Sequence, residues 1–299
     1  MVVNNKAKSI KITASNGGQR LDNFLISKIK NIPKSHVYKL IRTGQVRINS
    51  SRSKPSTKLN INDIVRIPPY KANENIKPII SKEIIDRTVS NIIYEDDDIM
   101  VFNKPSGVAV HSGTNIGYGL VDVLRLVKTE CERIDLLHRL DKDTSGCLII
   151  TKKLSSLRIF HLQLKNNTLQ KKYICLVDGL WDNSVKYDEI NLSRNNKTSK
   201  SITEFKVLNK YKKSTLLEVK IVTGRYHQIR KHCSLLGHAI IGDSRYGNND
   251  INKLYKKNGL SRLFLHSSSV SFTPRDSKKI KKIECSLPLE LANYLENHR

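Results

Sequence analysis

The chain has 299 residues, room for two domains at about 150 residues each. Its 38% hydrophobic and 27% charged residues are the balance of an ordinary globular protein, which excludes wholesale disorder and fibres, and no stretch of about 18 apolar residues offers a membrane span. Charge is the unusual quantity: 53 Lys and Arg against 27 Asp and Glu leave a net +26. Such a field concentrates polyanions and makes their binding salt-dependent, favouring a nucleic acid partner over a merely solubilising surface. Cys131, Cys147, Cys175, Cys233 and Cys285 are odd in number and include no C-x-x-C. They read as small buried hydrophobes in a reducing compartment rather than as a disulfide framework or a thiolate metal site. With no apolar leader after Met1, the expected location is the cytoplasm.

The first 70 residues carry 14 Lys and Arg against only Asp22 and Asp63. Leu21, Phe24, Leu25 and Ile29 recur at helical spacing; Pro33 then opens a second short helix that turns Val37, Leu40 and Ile41 inward and ends at Gly44. Lys34, Lys39 and Arg42 fall around its outward side, and 45–49, with Arg47, and 63–67 alternate as short strands. The strings Gln19-Arg20-Leu21-Asp22-x-Phe24-Leu25, Leu40-Ile41-x-x-Gly44-x-Val46-x-Ile48-Asn49 and Asn62-Asp63-x-Val65 resemble the S4 RNA-binding module. That resemblance implies RNA contacts from Lys34, Lys39, Arg42 and Arg47. The alternative is a helical hairpin whose charges are simply solvated.

From Pro68-Pro69 to about Asp86 the sequence is polar and aperiodic, which suggests a linker over 71–86 between a domain at 1–70 and another at 87–299. In the second domain, 92–94 and 99–102 read as a hairpin around Glu95-Asp96-Asp97-Asp98. This acidic cluster lacks calcium-loop spacing and is taken as a turn. Lys104-Pro105-Ser106-Gly107 forms the next turn. Further strands are expected at 147–151, 172–178, 202–208, 215–222 and 262–272, and helices at 120–128, 154–165, 226–236 and 288–297. Many strands with few helices and no regular alternation argue for an α+β fold with a largely antiparallel sheet rather than a doubly wound one.

Leu136-Leu137-His138-Arg139-Leu140-Asp141-Lys142-Asp143-Thr144-Ser145-Gly146 joins two apolar runs, so it belongs to a loop at strand ends, where reactive groups are displayed. On composition alone it is an ordinary turn. The string resembles, almost residue for residue, the H-R-L-D-x-x-T-S-G signature of the RluA-type pseudouridine synthases. Lys171-Lys172-Tyr173, Gly224-Arg225-Tyr226-His227-Gln228-Ile229-Arg230-Lys231-His232, Gly237 to Asp243, Arg245-Tyr246-Gly247 and Arg262 to His266 continue the likeness. Pro33-Lys34-Ser35, Val65-Arg66-Ile67-Pro68-Pro69 and Tyr94-Glu95-Asp96-Asp97 bring it nearest the RluC branch, which acts on large-subunit ribosomal RNA. Tyr226 departs from the small hydroxyl residue usual in the third motif.

The resemblance implies an isomerase that breaks the C1'–N1 bond of uridine, rotates the base, joins C5 to C1' and removes the C5 proton. No redox step or outside energy source is needed, so no cofactor and no metal are expected. Asp141 is the implied nucleophile or base, Arg225 the cation that keeps it ionised, and Tyr173 the ring that stacks on the flipped uracil near C5, a core aromatic being the alternative for Tyr173. Arg139 would fill the gap left in the RNA stack, a phosphate contact being the alternative. His227 and His232 lack zinc-pair spacing and read as helix-packing or phosphate-contacting groups. The expected partner is large-subunit ribosomal RNA, bound by a monomer with no membrane association. Rival readings are a non-catalytic RNA binder and a glycosidase-like hydrolase, the latter short of a second carboxylate except Asp143. Whether Asp141 attacks C1', adds to C6 or abstracts a ribose proton stays open.

Overall fold

The structure, a computed structural model, describes residues 3–4, 7–29, 32, 34–71, 80–111, 118–194 and 197–297; Pro33 and residues 72–79 of the expected linker lie outside them. The chain divides into two units, 1–79 and 80–299.

In the first unit β1 (Val3–Asn4) and β2 (Lys8–Lys11) precede helix α1 (Leu21–Lys28) and helix α2 (Lys34–Arg42). Strands β3 (Arg47–Ile48), β4 (Ile64–Ile67) and β5 (Tyr70–Lys71) follow. The helices exist because their apolar residues share one side: α1 buries Leu21, Phe24 and Leu25, and α2 buries Val37, Leu40 and Ile41. These pack on Val46, Leu59 and Val65 in one small core. β4 is central, flanked by β2 and β3, and β1 pairs with β5. Strands β1, β2 and β5 carry too short and too polar a pattern to be read from sequence.

The second unit opens with helix α3 (Lys82–Ser90), whose first turn is capped by the Ser81 hydroxyl accepting from the Ile84 amide at 3.4 Å. The expected linker is therefore corrected at its end: 82–86 are helical and belong to this unit. α3 buries none of its residues fully; Ile84, Ile85 and Thr88 are half-buried.

Strands β6 (Ile92–Glu95) and β7 (Ile99–Lys104) form the expected hairpin. Three of the four acidic residues of its turn are engaged. Asp96 accepts from the Asp98 and Ile99 amides, Asp98 accepts from the Ser156 hydroxyl at 2.6 Å, and Glu95 pairs with Lys128 and Lys152. Helix α4 (Leu120–Val127), β8 (Asp135–Leu136), β9 (Ser145–Thr151), α5 (Leu154–Lys165) and β10 (Gln170–Asp178) follow. Then come β11 (Tyr187–Arg194), β12 (Lys197–Lys210), β13 (Ser214–Ile221), α6 (Gln228–Leu235), α7 (Asn249–Lys257), β14 (Leu265–Phe272), β15 (Lys281–Glu284) and α8 (Leu289–Asn297).

Among the described residues ten strands make one mixed sheet in the order β11-β12-β13-β10-β14-β9-β7-β6, with β15 beside β14 and β8 beside β9. Among the described residues only the β9–β14 pairing is parallel, so the fold is α+β with a largely antiparallel sheet, as expected. β9 is buried along its whole length, which is why it reads as a continuous apolar run. One side of β9 and β7 presents Leu148, Ile150, Met100 and Phe102 to α4; the other presents Cys147, Ile149, Ile99 and Val101 with Phe160 of α5. At Gly146, where β9 meets β14, φ is +103° and a Cβ would fall onto the Ser267 carbonyl, so only glycine fits.

Candidate active site

The loop from β8 to β9 carries Asp141, and its backbone is held from several directions. The Lys104 ammonium, fully buried, donates to the carbonyls of Pro105, Val108 and Lys142 at 2.8 to 2.9 Å. Burial lowers the Lys104 pKa to about 7, opposed by Asp143 and Asp141. The Ser106 hydroxyl donates to the Asp143 carbonyl at 2.7 Å, and Arg262 reaches the Ser145 hydroxyl at 2.8 Å. Ser145 in turn meets His266 Nδ1 at 2.9 Å, and His266 Nε2 donates to the Cys285 carbonyl at 3.0 Å. A loop so pinned displays its carboxylate in one place, about a quarter of the Asp141 side chain remaining exposed (27%).

The cation on Asp141 is Arg230, not Arg225. Arg230 Nη1 donates to Asp141 Oδ2 at 3.3 Å, while Nε and Nη2 form a two-pronged grip on Asp243 at 2.7 and 2.8 Å. Asp243 also accepts from the Arg245 and Tyr246 amides, at 2.9 and 3.0 Å. Burial works against charge on both members, yet the mutual ion pair outweighs it: the Arg230 pKa is raised and that of Asp243 lowered. Arg225 is exposed, with Nε donating to the Lys200 carbonyl at 3.1 Å. The expectation for Arg225 fails because it precedes α6, whereas Arg230 lies within the helix, beside inward-facing Ile229.

His227 stands next to the same carboxylate, with Nε2 at 3.7 Å from Asp141 Oδ2. It sits at the N-terminus of α6 with φ +53°, a conformation that costs a non-glycine residue about 1 kcal/mol or more. Three contacts hold it there: the Tyr246 hydroxyl at 3.1 Å from Nδ1, Arg230 Nη1 at 3.4 Å from Nε2, and the Tyr226 ring stacked at 3.7 Å between centroids. The unusual Tyr226 thus covers His227, and its hydroxyl accepts from Arg245 at 3.2 Å.

Tyr173 lies on β10, opposite an irregularity in the β10–β14 pairing between Lys172 and Ile174, a feature that re-aims side chains. It is buried, and burial together with the nearby Asp141 charge raises its pKa, although Ser267 opposes. The phenol therefore stays protonated at neutral pH. Asp141, Arg230, His227 and Tyr173 come together. The Arg139 side chain is exposed on the same loop and makes no hydrogen bond among the described residues.

Residues 98–235 match the RNA pseudouridylate synthase family and residues 19–65 the S4 domain. The chain is 38% identical to ribosomal large subunit pseudouridine synthase C of Haemophilus influenzae, over 100% of this chain and 97% of that protein. It is 39% identical to the protein of that name from Escherichia coli K12, over 98% and 97%. The chain belongs to the pseudouridine synthase family. Its fold is similar to that of human RNA pseudouridylate synthase domain containing 4, with TM-score 0.60 and 22% identity over 72% of this chain and 95% of that one.

In this pseudouridine synthase the S4 unit exposes Lys34, Lys39, Arg42 and Arg47, with the Arg47 guanidinium donating to the Gly44 and Ser50 carbonyls. The sequence reading did not single out Arg230, Asp243 or Lys104. A usable signal existed for Arg230: it lies one position from Ile229 and three from Cys233, at the edge of the buried side of α6. Lys104 and Asp243 carried none, since charged residues are read as exposed unless a partner is visible. Among the described residues no helix is long and apolar enough to cross a membrane, and no group of three His, Cys, Asp or Glu could hold a metal ion.

Proposed function

We propose that this chain isomerises uridines of large-subunit ribosomal RNA to pseudouridine, acting in the cytoplasm as a monomer that needs no cofactor. The observation that carries the reading is the Asp141 carboxylate, partly exposed beside Tyr173 and held by a buried arginine that a second carboxylate has already fixed. A carboxylate closed off by RNA stays ionised only if a counter-charge is built in, and Arg230 supplies one that needs no reorganisation. Asp141 then serves as nucleophile or base, and the pinned loop backbone keeps its position as the base rotates. Tyr173 offers an aromatic face to the flipped uracil and a neutral hydroxyl near C5. Arg139, exposed and unengaged, suits the gap the uridine leaves in its stack. Lys34, Lys39, Arg42 and Arg47 supply sequence-independent phosphate contacts that add affinity and salt dependence. The similarity to relatives named for the large ribosomal subunit supports the substrate class.

The test is release of tritium from C5-labelled uridine in large-subunit ribosomal RNA, followed by mapping pseudouridine in cells with and without the protein. Release with gain of pseudouridine at discrete positions is expected. Free uracil would indicate hydrolysis, and binding without release would reduce the chain to an RNA-binding protein.

A further inference from the structure

Lys171 stands two residues before Tyr173 on β10, so the two side chains share a face of the sheet. It is 6% exposed, and none of the described residues offers its ammonium a hydrogen bond or an ion pair. Its neighbour Lys172 points the other way and pairs with Glu218 at 2.9 Å. The Lys171 Nζ lies beside Gly224, only 3.7 Å from where a Cβ would stand there, at the start of the loop that leads into α6. His138 of the Asp141 loop is also near, its own pKa lowered in part by the Lys171 charge. The ammonium is therefore near both the loop carrying Asp141 and the loop carrying Arg225. Burial brings the Lys171 pKa down to about 8, with no opposing carboxylate among the described residues.

A buried cation without an anion is costly, and proteins keep one where a ligand completes it. We propose that Lys171 receives a backbone phosphate of the RNA next to the flipped uridine, and so positions the nucleotide whose base lies on Tyr173. The inference rests on the reading of Asp141 and Tyr173 as the reaction centre. A phosphate fits better than a uracil carbonyl because it brings the full negative charge that the Lys171 ammonium lacks. Positions two apart on a strand are separated by about 6.6 Å, comparable with the offset between a base and its own backbone.

The experiment uses the full chain and a stem-loop RNA containing one mapped target uridine. Equilibrium binding is measured against salt concentration for wild type, Lys171→Met and Lys171→Arg. Leaving one phosphate without its cation lowers the slope of log K against log salt by about 0.7 to 0.9, and Kd at moderate salt should rise about tenfold for Met and recover with Arg. A methylphosphonate on either side of the target uridine, which removes the phosphate charge, should abolish the difference between wild type and Lys171→Met at one of the two positions. Thermal melting of the free proteins controls for structure: Met keeps the apolar stem, so the melting temperature should hold or rise. An unchanged slope, or a Met defect that persists with both neutral linkages, overturns the phosphate assignment while tritium release by wild type leaves the reading of the reaction centre intact. A failure of wild type to release tritium would instead sink that reading.

Discussion

Arg230 grips Asp243 with two of its N–H groups and spends a third on Asp141, so the orientation of the Asp141 carboxylate is set by an acid 102 positions further along the chain. Removing one member of a buried ion pair leaves the other uncompensated, at about 3 to 5 kcal/mol. Arg230→Met should therefore lower both stability and turnover. Arg230→Lys, which keeps the charge but not the planar grip, should fold yet turn over at least 100-fold more slowly, an order expected when electrostatic support at the reacting group is removed. Arg225→Met should stay within about tenfold of wild type, as for removal of a single exposed hydrogen bond. Single-turnover pseudouridine formation alongside melting curves separates these cases, and a reversed ranking would restore Arg225 as the partner of Asp141.

Asp141→Asn is nearly isosteric, so RNA affinity should change by less than about threefold, since binding rests on phosphate contacts. Turnover should be abolished. Measurable product from the purified variant under single-turnover conditions would remove Asp141 from the chemistry.

For Tyr173 two substitutions separate ring from hydroxyl. Ala loses the stacking face, worth about 1 to 3 kcal/mol per base, and should fail to capture the flipped uracil. Phe keeps the face. With the phenol held protonated by burial and the Asp141 charge, the hydroxyl can act only as a neutral relay or donor. Phe should then bind RNA and break the glycosidic bond yet stall before release, with rearranged nucleotide accumulating on the enzyme. Full product yield from Phe would eliminate the proton-transfer role.

Stability should fall in mild acid. Burial lowers the His138 pKa to about 3, below the ordinary 6.5, and its Nε2 accepts from the Ile149 amide. His266 is lowered by burial too, with Nε2 committed to the Cys285 carbonyl. A histidine neutral in the folded state takes up its proton more readily when unfolded, so its contribution is complete above pH 6.5 and is lost as pH falls below that value. His138 alone should cost about 1.4 kcal/mol per pH unit through that window. Urea midpoints between pH 7.5 and 5 measure the loss. A flat profile would mean that both rings protonate without unfolding.

The two units have separate cores, so a chain beginning at residue 80 should fold and keep the Asp141 site. Its affinity for long ribosomal RNA should weaken and its salt dependence flatten, by about 0.7 to 0.9 in slope for each phosphate that is no longer neutralised. An unchanged slope would mean that Lys34, Lys39, Arg42 and Arg47 are not working RNA contacts.

What the sequence made legible was what burial writes into it. β7, β9, β10 and β13 are apolar on the sides they bury, and α5 was read over 154–165, the limits it has. α7 escaped although Ile251, Leu254 and Tyr255 fall at helical spacing, because the Asn, Asp and Lys around them read as a loop, and β11 because it lies at the sheet edge. β11 is instead fastened by polar means: Asp188 meets His232 of α6 at 2.6 Å, and His232 meets Ser201 of β12 at 2.9 Å. Such a join has no periodic signature. The site divides in the same way. Asp141 and Tyr173 came from short contiguous strings, whereas the pairing of Arg230 with Asp141 depends on how helix and loop meet in space, which no string records.

Strand β14 lies between β10 and β9, yet it comes after both in the chain, at Leu265–Phe272. The two halves of the large sheet therefore remain unjoined during synthesis until nearly the whole polypeptide has emerged, and the gap between them closes through contacts more than 100 residues apart, such as Ser145 with His266. Distant pairings of this kind are slow to form. A nascent chain still on the ribosome thus holds Tyr173 and Asp141 on separate pieces, without an assembled reaction centre, while it is surrounded by the RNA it is proposed to modify.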